Sequence, residues 1–577
     1  MEKQENSRTR LLAVFVSLTV TLFIGRLFIV QVARGEYYDN LSRDQVSSQN
    51  QYGYFERGEI YFQTLDGNIV TVAGIERGYL LAIKPSEISD PEAAYLKLGA
   101  YLNNIDKETF ITKASKSEDP YEEIVHRLSE GIRDEIGALN LPWVMLVPEQ
   151  WRYYPGGTLG ANVIGFVGFR GDELGGQYGI ERQFDKTLKR DMGNLYKNFF
   201  SELFSGVKNE VFSSDSHPAN LAEEGTVLLS IEPKVQALIE LKTDELMTKW
   251  SANQAGILVI EPSTGRIVGA SSRPSFNPNS YQVETSPGVY QNPFVEDVFE
   301  MGSIMKPITI AAGIDVGVIS PSTTYNDKGF LELDGKRIEN YDSRGRGVVG
   351  MQEVLNESLN TGAAFVALKM GESSYKEYLG RFGFTDKTGI DMPNEANNLL
   401  SNLDSGKEIE LATASFGQGI AVSPISMVRA LGALANKGFL IKPHFVDSVD
   451  LDIGLENKTM VTEQGRAISA KTSEEITRML VKVVDEYLAG GQLKMSHYTI
   501  AAKTGTAQIA NPGEGGYYAD RYMHSFFGYF PAYESRFLVF MYLKEPIGAR
   551  YASETLTQPF KDITQFLISY YNVPPDR

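Results

Sequence analysis

The order of apolar and polar positions divides the chain into stretches of different character. Leu11 to Val32 reads LLAVFVSLTVTLFIGRLFIVQV, 22 residues broken only by Ser, Thr and Gly until Arg26 and Gln31. At about 1.5 Å rise per residue, a helix of this length crosses a hydrocarbon layer of about 30 Å. Arg26 lies near enough to the far end to lift its guanidinium into the headgroups while its stem stays in lipid. A cleaved signal peptide is the rival reading, but the run is long and no small-x-small site closes it, so a retained single-pass anchor is expected over 11–32. Lys3, Arg8 and Arg10 outweigh Arg34 and Arg43 slightly, which favours a cytoplasmic tail at 1–10 and export of the rest.

No second apolar run of about 18 residues follows. From Ala33 to about Asn220 the pattern is mixed, with short β-like runs and Gly-rich turns between Gly171 and Gly179, and the polar stretch Ser213 to Asn220 is taken as a domain boundary. Beyond it, Thr226 to Ile231 reads as a strand, Pro233 to Trp250 as a helix, and Gly256 to Ile260 with Arg266 to Ala270 as a hairpin about the turn Glu261 to Gly265. Ser423 with Pro424 starts a helix whose apolar positions Ile425, Val428, Leu431 and Leu434 share a face, and Gly438 closes it. Strands return at Tyr498 to Ala507, Ser525 to Phe530 and Phe537 to Leu543 before a last helix with Pro559 near its start. The expected fold is α+β: an elongated mixed domain over 33–220, then an antiparallel sheet flanked by helices over 221–577.

Composition narrows the chemistry. A chain of 577 residues exceeds the roughly 250–300 at which a single core stops growing, so more than one domain is expected. With 55 basic against 73 acidic residues, the net charge of −18 offers no basic surface for DNA or RNA. Cysteine is absent, which removes disulfides, thiolate metal sites and cysteine nucleophiles together. The five histidines, at 126, 217, 444, 497 and 524, are scattered without metal-ligand spacing, and neither a metal nor a cofactor is expected.

A hydrolase or transferase built this way needs a serine activated by another group, and lysine can serve. Ser303-Ile-Met-Lys306 puts a hydroxyl and an amine three apart, about 5–6 Å between Cβ atoms on one helix face. A free lysine titrates near ~10.4, so it must be desolvated or set beside another cation to act as base. Alone the pattern is weak, because Ser205 to Lys208 and Ser373 to Lys376 also match. The same holds for Ser358-Leu-Asn360, which competes with Ser48 to Asn50, Ser251 to Asn253 and Ser275 to Asn277. Lys-Thr-Gly occurs at Lys387 to Gly389 and at Lys503 to Gly505. The second lies in a β-type run of small residues, where a substrate backbone could lie along a sheet edge; the first lies in a loop before Pro393 and is read as structural. The Gly- and Tyr-rich stretch Asn511 to Tyr522 is expected to form a mobile loop beside the Lys503 strand.

In the order Ser303/Lys306, Ser358/Asn360 after 55 residues and Lys503 after a further 145, the three elements resemble the active-serine penicillin-recognising enzymes. Arg152 to Gly156, Gly165 to Gly168 and Gly179 to Asp185 are similar to the N-terminal pedestal of class B penicillin-binding proteins, and Ser415 to Ile420 and His524 to Pro531 to their transpeptidase domain. The contexts of Gly302 to Pro307 and Ala414 to Ile420 look more like the division-type branch. Two features depart from the family: Met301 stands where proline is usual, and Tyr61 to Gly67 replaces an Asp-Arg-x-Gly pattern after Arg57 to Ile60.

The resemblance implies a bacterial inner-membrane D,D-transpeptidase with a serine β-lactamase-like catalytic domain outside the cytoplasm. It would cross-link peptidoglycan stem peptides, bind β-lactams and work in septal wall synthesis with a multi-spanning lipid II glycan polymerase. Ser303 would be acylated, Lys306 its base, and Ser358 the proton relay. Asn360 would hold the donor peptide, Lys503 would keep Lys306 neutral, and Thr504, Gly505 and Thr506 would bind substrate. The backbone N–H groups of Ser303 and Thr506 would form the oxyanion hole. A D,D-carboxypeptidase or β-lactamase of the same fold, and a non-catalytic sensor or scaffold, are the alternatives.

Overall fold

The computed structural model describes residues 56–101, 105–171, 173–190, 224–511, 513 and 515–577. The tail 1–10, the apolar run 11–32 and the polar stretch 213–220 lie outside the described residues. Among the described residues no helix is long and apolar enough to cross a membrane. These residues form two units, one built from 75–152 with Glu56 and one from 57–74 with 153–577, so the boundary falls inside the strand Ile69–Ile83.

In the first unit the end of that strand pairs antiparallel with Glu122–Leu128, Leu81 facing Val125 and Ile83 facing Glu122. Three helices, Pro91–Gly99, Lys107–Ala114 and Glu130–Ala138, each start on a side chain that accepts a backbone N–H: Asp90, Asp106 and Ser129. Such caps contribute about 1 kcal/mol each. The helices bury Leu98, Phe110 and Ile136 against Leu81, Ile83 and Trp143.

The second unit begins with a strand, Ile60–Gln63, that turns back on residues 69–73 and runs parallel to Gly225–Leu229. The departing segment Tyr61 to Gly67 therefore still forms a hairpin. Arg57 before it is buried in ion pairs with Glu181 at 2.6 Å and Asp185 at 2.8 Å, and Tyr154 donates to the same glutamate. Removing one partner of such a buried pair strands a charge, a loss of about 3–5 kcal/mol.

The C-terminal part follows in chain order: α1 (Pro233–Trp250), β1 (Gln254–Ile260), β2 (Ile267–Arg273), α2 (Lys306–Asp315), α3 (Asn360–Met370), α4 (Pro424–Ala435), α5 (Ala470–Lys482), β3 (Ala501–Ala510), β4 (Tyr517–Phe530), β5 (Phe537–Lys544) and α6 (Thr557–Tyr570). The five strands make one antiparallel sheet in the order β3-β4-β5-β1-β2. Phe537 to Leu543 are all buried, a continuous apolar run rather than an alternating one, because both sheet faces are covered. Neighbouring residues of β4 show the two faces: Gly528 lies against Phe560 of α6, and the Tyr529 hydroxyl meets Thr477 of α5 at 2.8 Å. As expected, Ser423 caps α4, its hydroxyl accepting the Ser426 N–H.

The stretch expected as a loop from Asn511 to Tyr522 is shorter than that. β3 runs to Ala510 and β4 starts at Tyr517, with Ala510 opposite Tyr517 and Gln508 opposite Tyr522. Its tyrosines suit a pleated, half-buried surface, and the ladder takes up backbone groups that a loop would leave to water.

Candidate active site

The site is assembled where α2 begins. Ser303 is not inside the α-helix but in a 3₁₀ turn, Gly302–Met305, that feeds into α2 at Lys306. The cause is Gly302, whose φ of +61° sets the turn. A Cβ on Gly302 would stand 2.8 Å from the Thr506 carbonyl oxygen, so only glycine lets the turn lie against β3. Met301, in the position where proline is usual, is buried, and its carbonyl accepts the Ser525 hydroxyl at 2.7 Å. Gly505 completes the contact from the strand side, since a Cβ there would meet Met301 O at 2.5 Å. Gly505 therefore packs against the Ser303 turn and does not line the cavity described below.

Lys306 is fully buried. Its Nζ donates to Asn360 Oδ1 at 2.8 Å and to the Ser358 carbonyl, and lies 3.2 Å from Ser358 Oγ. Ser358 reaches this position with φ at +57°, a conformation that costs a non-glycine residue of order 1–3 kcal/mol and is typical of functional sites. Asn360 is oriented from behind, its Nδ2 donating to Glu339 O at 2.8 Å, so that its oxygen faces the lysine. From the other side Lys503 of β3, also buried, donates to Ser358 Oγ at 2.9 Å and to Thr504 O at 3.1 Å. One hydroxyl thus stands between two amines. Burial drives the Lys306 amine well below the ordinary lysine range, and the neighbouring Lys503 pushes it further. Burial lowers Lys503 to about 7.

Above these groups opens a cavity of about 1270 Å³ lined by Ser303, Ser358, Asn360, Lys503, Thr504 and Thr506. Lys306, without exposed surface, is not part of the lining. Thr506 Oγ1 accepts the Ala552 N–H at 3.1 Å, which fixes its oxygen and leaves its proton for a ligand. His524, opposite Thr506 in the ladder, has no exposed surface, and burial lowers it to about 4. Its Nε2 contacts the Arg550 carbonyl at 3.1 Å and so must donate, which leaves Nδ1 to accept from Thr555 at 2.9 Å. That pair of bonds ties the segment carrying Arg550 and Tyr551, both on the cavity wall, to β4.

The competing matches sit elsewhere. Ser373 and Lys376 share a helix face, but Lys376 pairs with Glu372 at 2.6 Å and Asp404 at 3.1 Å and is held charged. Ser251 ends α1, and Asn277 caps a short 3₁₀ turn. Ser205 to Lys208 and Ser48 to Asn50 lie outside the described residues. The motif reading did not anticipate Glu300, Tyr517, Arg550 or Tyr551, all on the cavity wall. A charged Glu300 between half-buried Phe299 and buried Met301, three residues before Ser303, is a sequence signal that could have pointed to it. Among the described residues no group of three or more His, Cys, Asp or Glu is placed to hold a metal.

Sheet, buried lysine and bridging serine together define an active-serine penicillin-recognising fold. Residues 255–565 match the family model described as "Penicillin binding protein transpeptidase domain", and 54–196 match "Penicillin-binding Protein dimerisation domain". The chain is 30% identical over 563 residues to "Stage V sporulation protein D" of Bacillus subtilis (strain 168), covering 96% of this chain and 84% of that one. It is 27% identical over 455 residues to "Peptidoglycan D,D-transpeptidase FtsI" of Escherichia coli (strain K12), covering 78% and 73%. The crystal structure of penicillin binding protein 2X from Streptococcus thermophilus superposes with a TM-score of 0.71 over 89% of this chain and 79% of that one, at 19% identity, a likeness of fold. The chain belongs to the class B penicillin-binding proteins, and it is an enzyme, a transpeptidase.

Proposed function

We propose that the chain is a peptidoglycan D,D-transpeptidase of the septal type, anchored in the bacterial inner membrane through 11–32. In this reading 1–10 is a cytoplasmic tail, 33–220 a pedestal and 221–577 the catalytic domain. Stem peptides are its substrates and β-lactams its inhibitors, and a multi-spanning lipid II polymerase supplies the glycan.

The carrying observation is the hydrogen-bond count at Lys306. A neutral amine has two N–H bonds and one lone pair. Ser358 O and Asn360 Oδ1 can only accept, so both N–H bonds go to them and the lone pair is left for a hydroxyl proton. Ser303 gives that proton as its Oγ attacks the carbonyl of the penultimate D-Ala. The Ser358 hydroxyl, accepting from Lys503, passes its own proton to the departing amine and is refilled from Lys306. Lys503, Thr504 and Thr506 hold the terminal carboxylate. The backbone N–H groups of Ser303 and Thr506 stabilise the tetrahedral oxyanion, about 2.7–4 kcal/mol per donor.

The test is intact mass after incubating the detergent-solubilised chain with benzylpenicillin, with the adduct mapped by digestion. A stable adduct on the Ser303 peptide is expected, absent in Ser303→Ala and retained in Ser373→Ala. An adduct that survives Ser303→Ala would overturn the assignment, and penicillin hydrolysis without an adduct would make the chain a β-lactamase.

A further inference from the structure

The cavity holds a carboxyl that acylation does not use. Glu300 lies three residues before Ser303 on the same wall. Its Oε1 accepts the Tyr517 hydroxyl at 3.3 Å, while its Oε2 is buried. Among the described residues no ion pair reaches it. Burial pushes the Glu300 carboxyl up, against hydrogen bonds from Tyr517 and the Gly419 backbone that pull it down. Gly419 also borders Glu410 of the helix Glu408–Ala414, since a Cβ there would lie 3.5 Å from Glu410 Oε2. The wall around Gly419 is thus acidic, whereas Lys503 and Arg550 are cations elsewhere on the cavity lining.

Proton bookkeeping says what such a group is for, if the chain is the transpeptidase proposed above. The acceptor is a primary amine, an ammonium at neutral pH. When its nitrogen joins the acyl carbon and the bond from carbon to Ser303 Oγ breaks, the nitrogen has lost two protons. Ser303 leaves as an alkoxide that takes back one, through Lys306 and Ser358. The other needs a second acceptor. We propose that the Glu300 carboxyl, on the cavity wall, binds the acceptor ammonium and takes that second proton, with Tyr517 holding it in place. The proton on Glu300 then passes to solvent through the open cavity.

The test uses the full chain in detergent with a D-alanyl thioester donor and D-alaninamide as acceptor, and reads the ratio of aminolysis to hydrolysis of the acyl-enzyme. Benzylpenicillin labelling of each variant first reports that it is folded. Glu300→Gln is expected to lower the ratio at least 30-fold, Glu300→Asp to restore part of it, and Tyr517→Phe to lower it three- to tenfold. A ratio within threefold of wild type in Glu300→Gln overturns the inference, and so does a loss of hydrolysis and aminolysis in equal measure. If Glu300→Gln cannot be labelled, Tyr517→Phe decides, and an unchanged ratio there overturns the inference. If the wild type itself takes no label, the transpeptidase reading fails first and the acceptor site with it.

Discussion

The chain contains the triplet Lys-Thr-Gly twice, and the two copies do unrelated things. Lys503 is buried on β3, its amine bonded to Ser358, with Gly505 packed on the nucleophile turn and Thr506 just beyond. Lys387 is exposed, and its triplet is a turn held together by other residues. The Glu395 carboxylate accepts the N–H groups of Thr388 at 2.5 Å and Gly389 at 3.1 Å, Gln464 donates to Thr388 O at 2.8 Å, and Arg429 donates to Lys387 O at 3.1 Å. In one copy the lysine amine is buried and hydrogen-bonded to Ser358. In the other it is the backbone that is hydrogen-bonded, and the amine points to water. Three letters of sequence carry no chemistry until burial decides which atoms are used.

The largest expected difference is in acylation. Lys503→Ala should slow benzylpenicillin labelling by at least ~10³-fold, because it removes both the charge beside Lys306 and a hydrogen bond to Ser358. Lys387→Ala should change the rate less than about twofold, within the usual range of an exposed substitution. Stopped-time mass spectrometry on both variants measures this, and equal slowing would erase the distinction between the triplets.

A smaller effect comes with pH. Lys503 is lowered to about 7, so it is a cation below that pH and neutral above it. Under the proposed mechanism, rising pH therefore removes the charge that keeps Lys306 neutral and holds the substrate carboxylate. The second-order acylation rate should fall by up to about tenfold per pH unit above 7. Lys503→Arg, charged throughout, should be slower in absolute rate but lose this upper limb. Coincident pH profiles would show that the Lys503 charge does not govern the rate.

How much of this could be read from the sequence depended on how local each feature was. Strands and helices of the catalytic half followed from periodicity, and the nucleophile pair from motif order, because Ser303 and Lys306 are neighbours on one turn. The 3₁₀ form of that turn depends on Gly302 meeting Thr506, some two hundred residues away, which no window of sequence contains. Glu300 was missed for the same reason: its partner Tyr517 is set by the register of β4 against β3, in a stretch whose glycines suggest a loop. Gly505 was expected to open space for substrate, and the structure spends that space on the turn instead.

Behind the Lys503 strand, His524 offers a test of how firmly that copy of the triplet is held. Its folded-state value is lowered to about 4 by burial, against 6.5 when unfolded. As pH falls from 6.5 toward 4 the unfolded chain takes up a proton that the folded one refuses, so stability is lost across that window, by about 3 kcal/mol at most. Urea midpoints at pH 7.5 and 4.5 should therefore differ by less in His524→Gln than in the wild type, since all other titrating groups are common to both. An identical acid loss in the two would mean that His524 is not held neutral.

The exposed triplet supplies the smallest effect and the cleanest separation of stability from catalysis. Glu395 accepts two backbone N–H groups with a charged carboxylate, so Glu395→Ala leaves both donors to water or to nothing, a loss of about 1–3 kcal/mol. Lys387→Ala removes no such bond and should cost less than about 0.5 kcal/mol. Benzylpenicillin acylation of the folded Glu395→Ala protein should stay within about twofold of wild type, because none of these groups lines the cavity. If Glu395→Ala instead slowed acylation at unchanged stability, the second triplet would have to be coupled to the first, and the turn would be more than a turn.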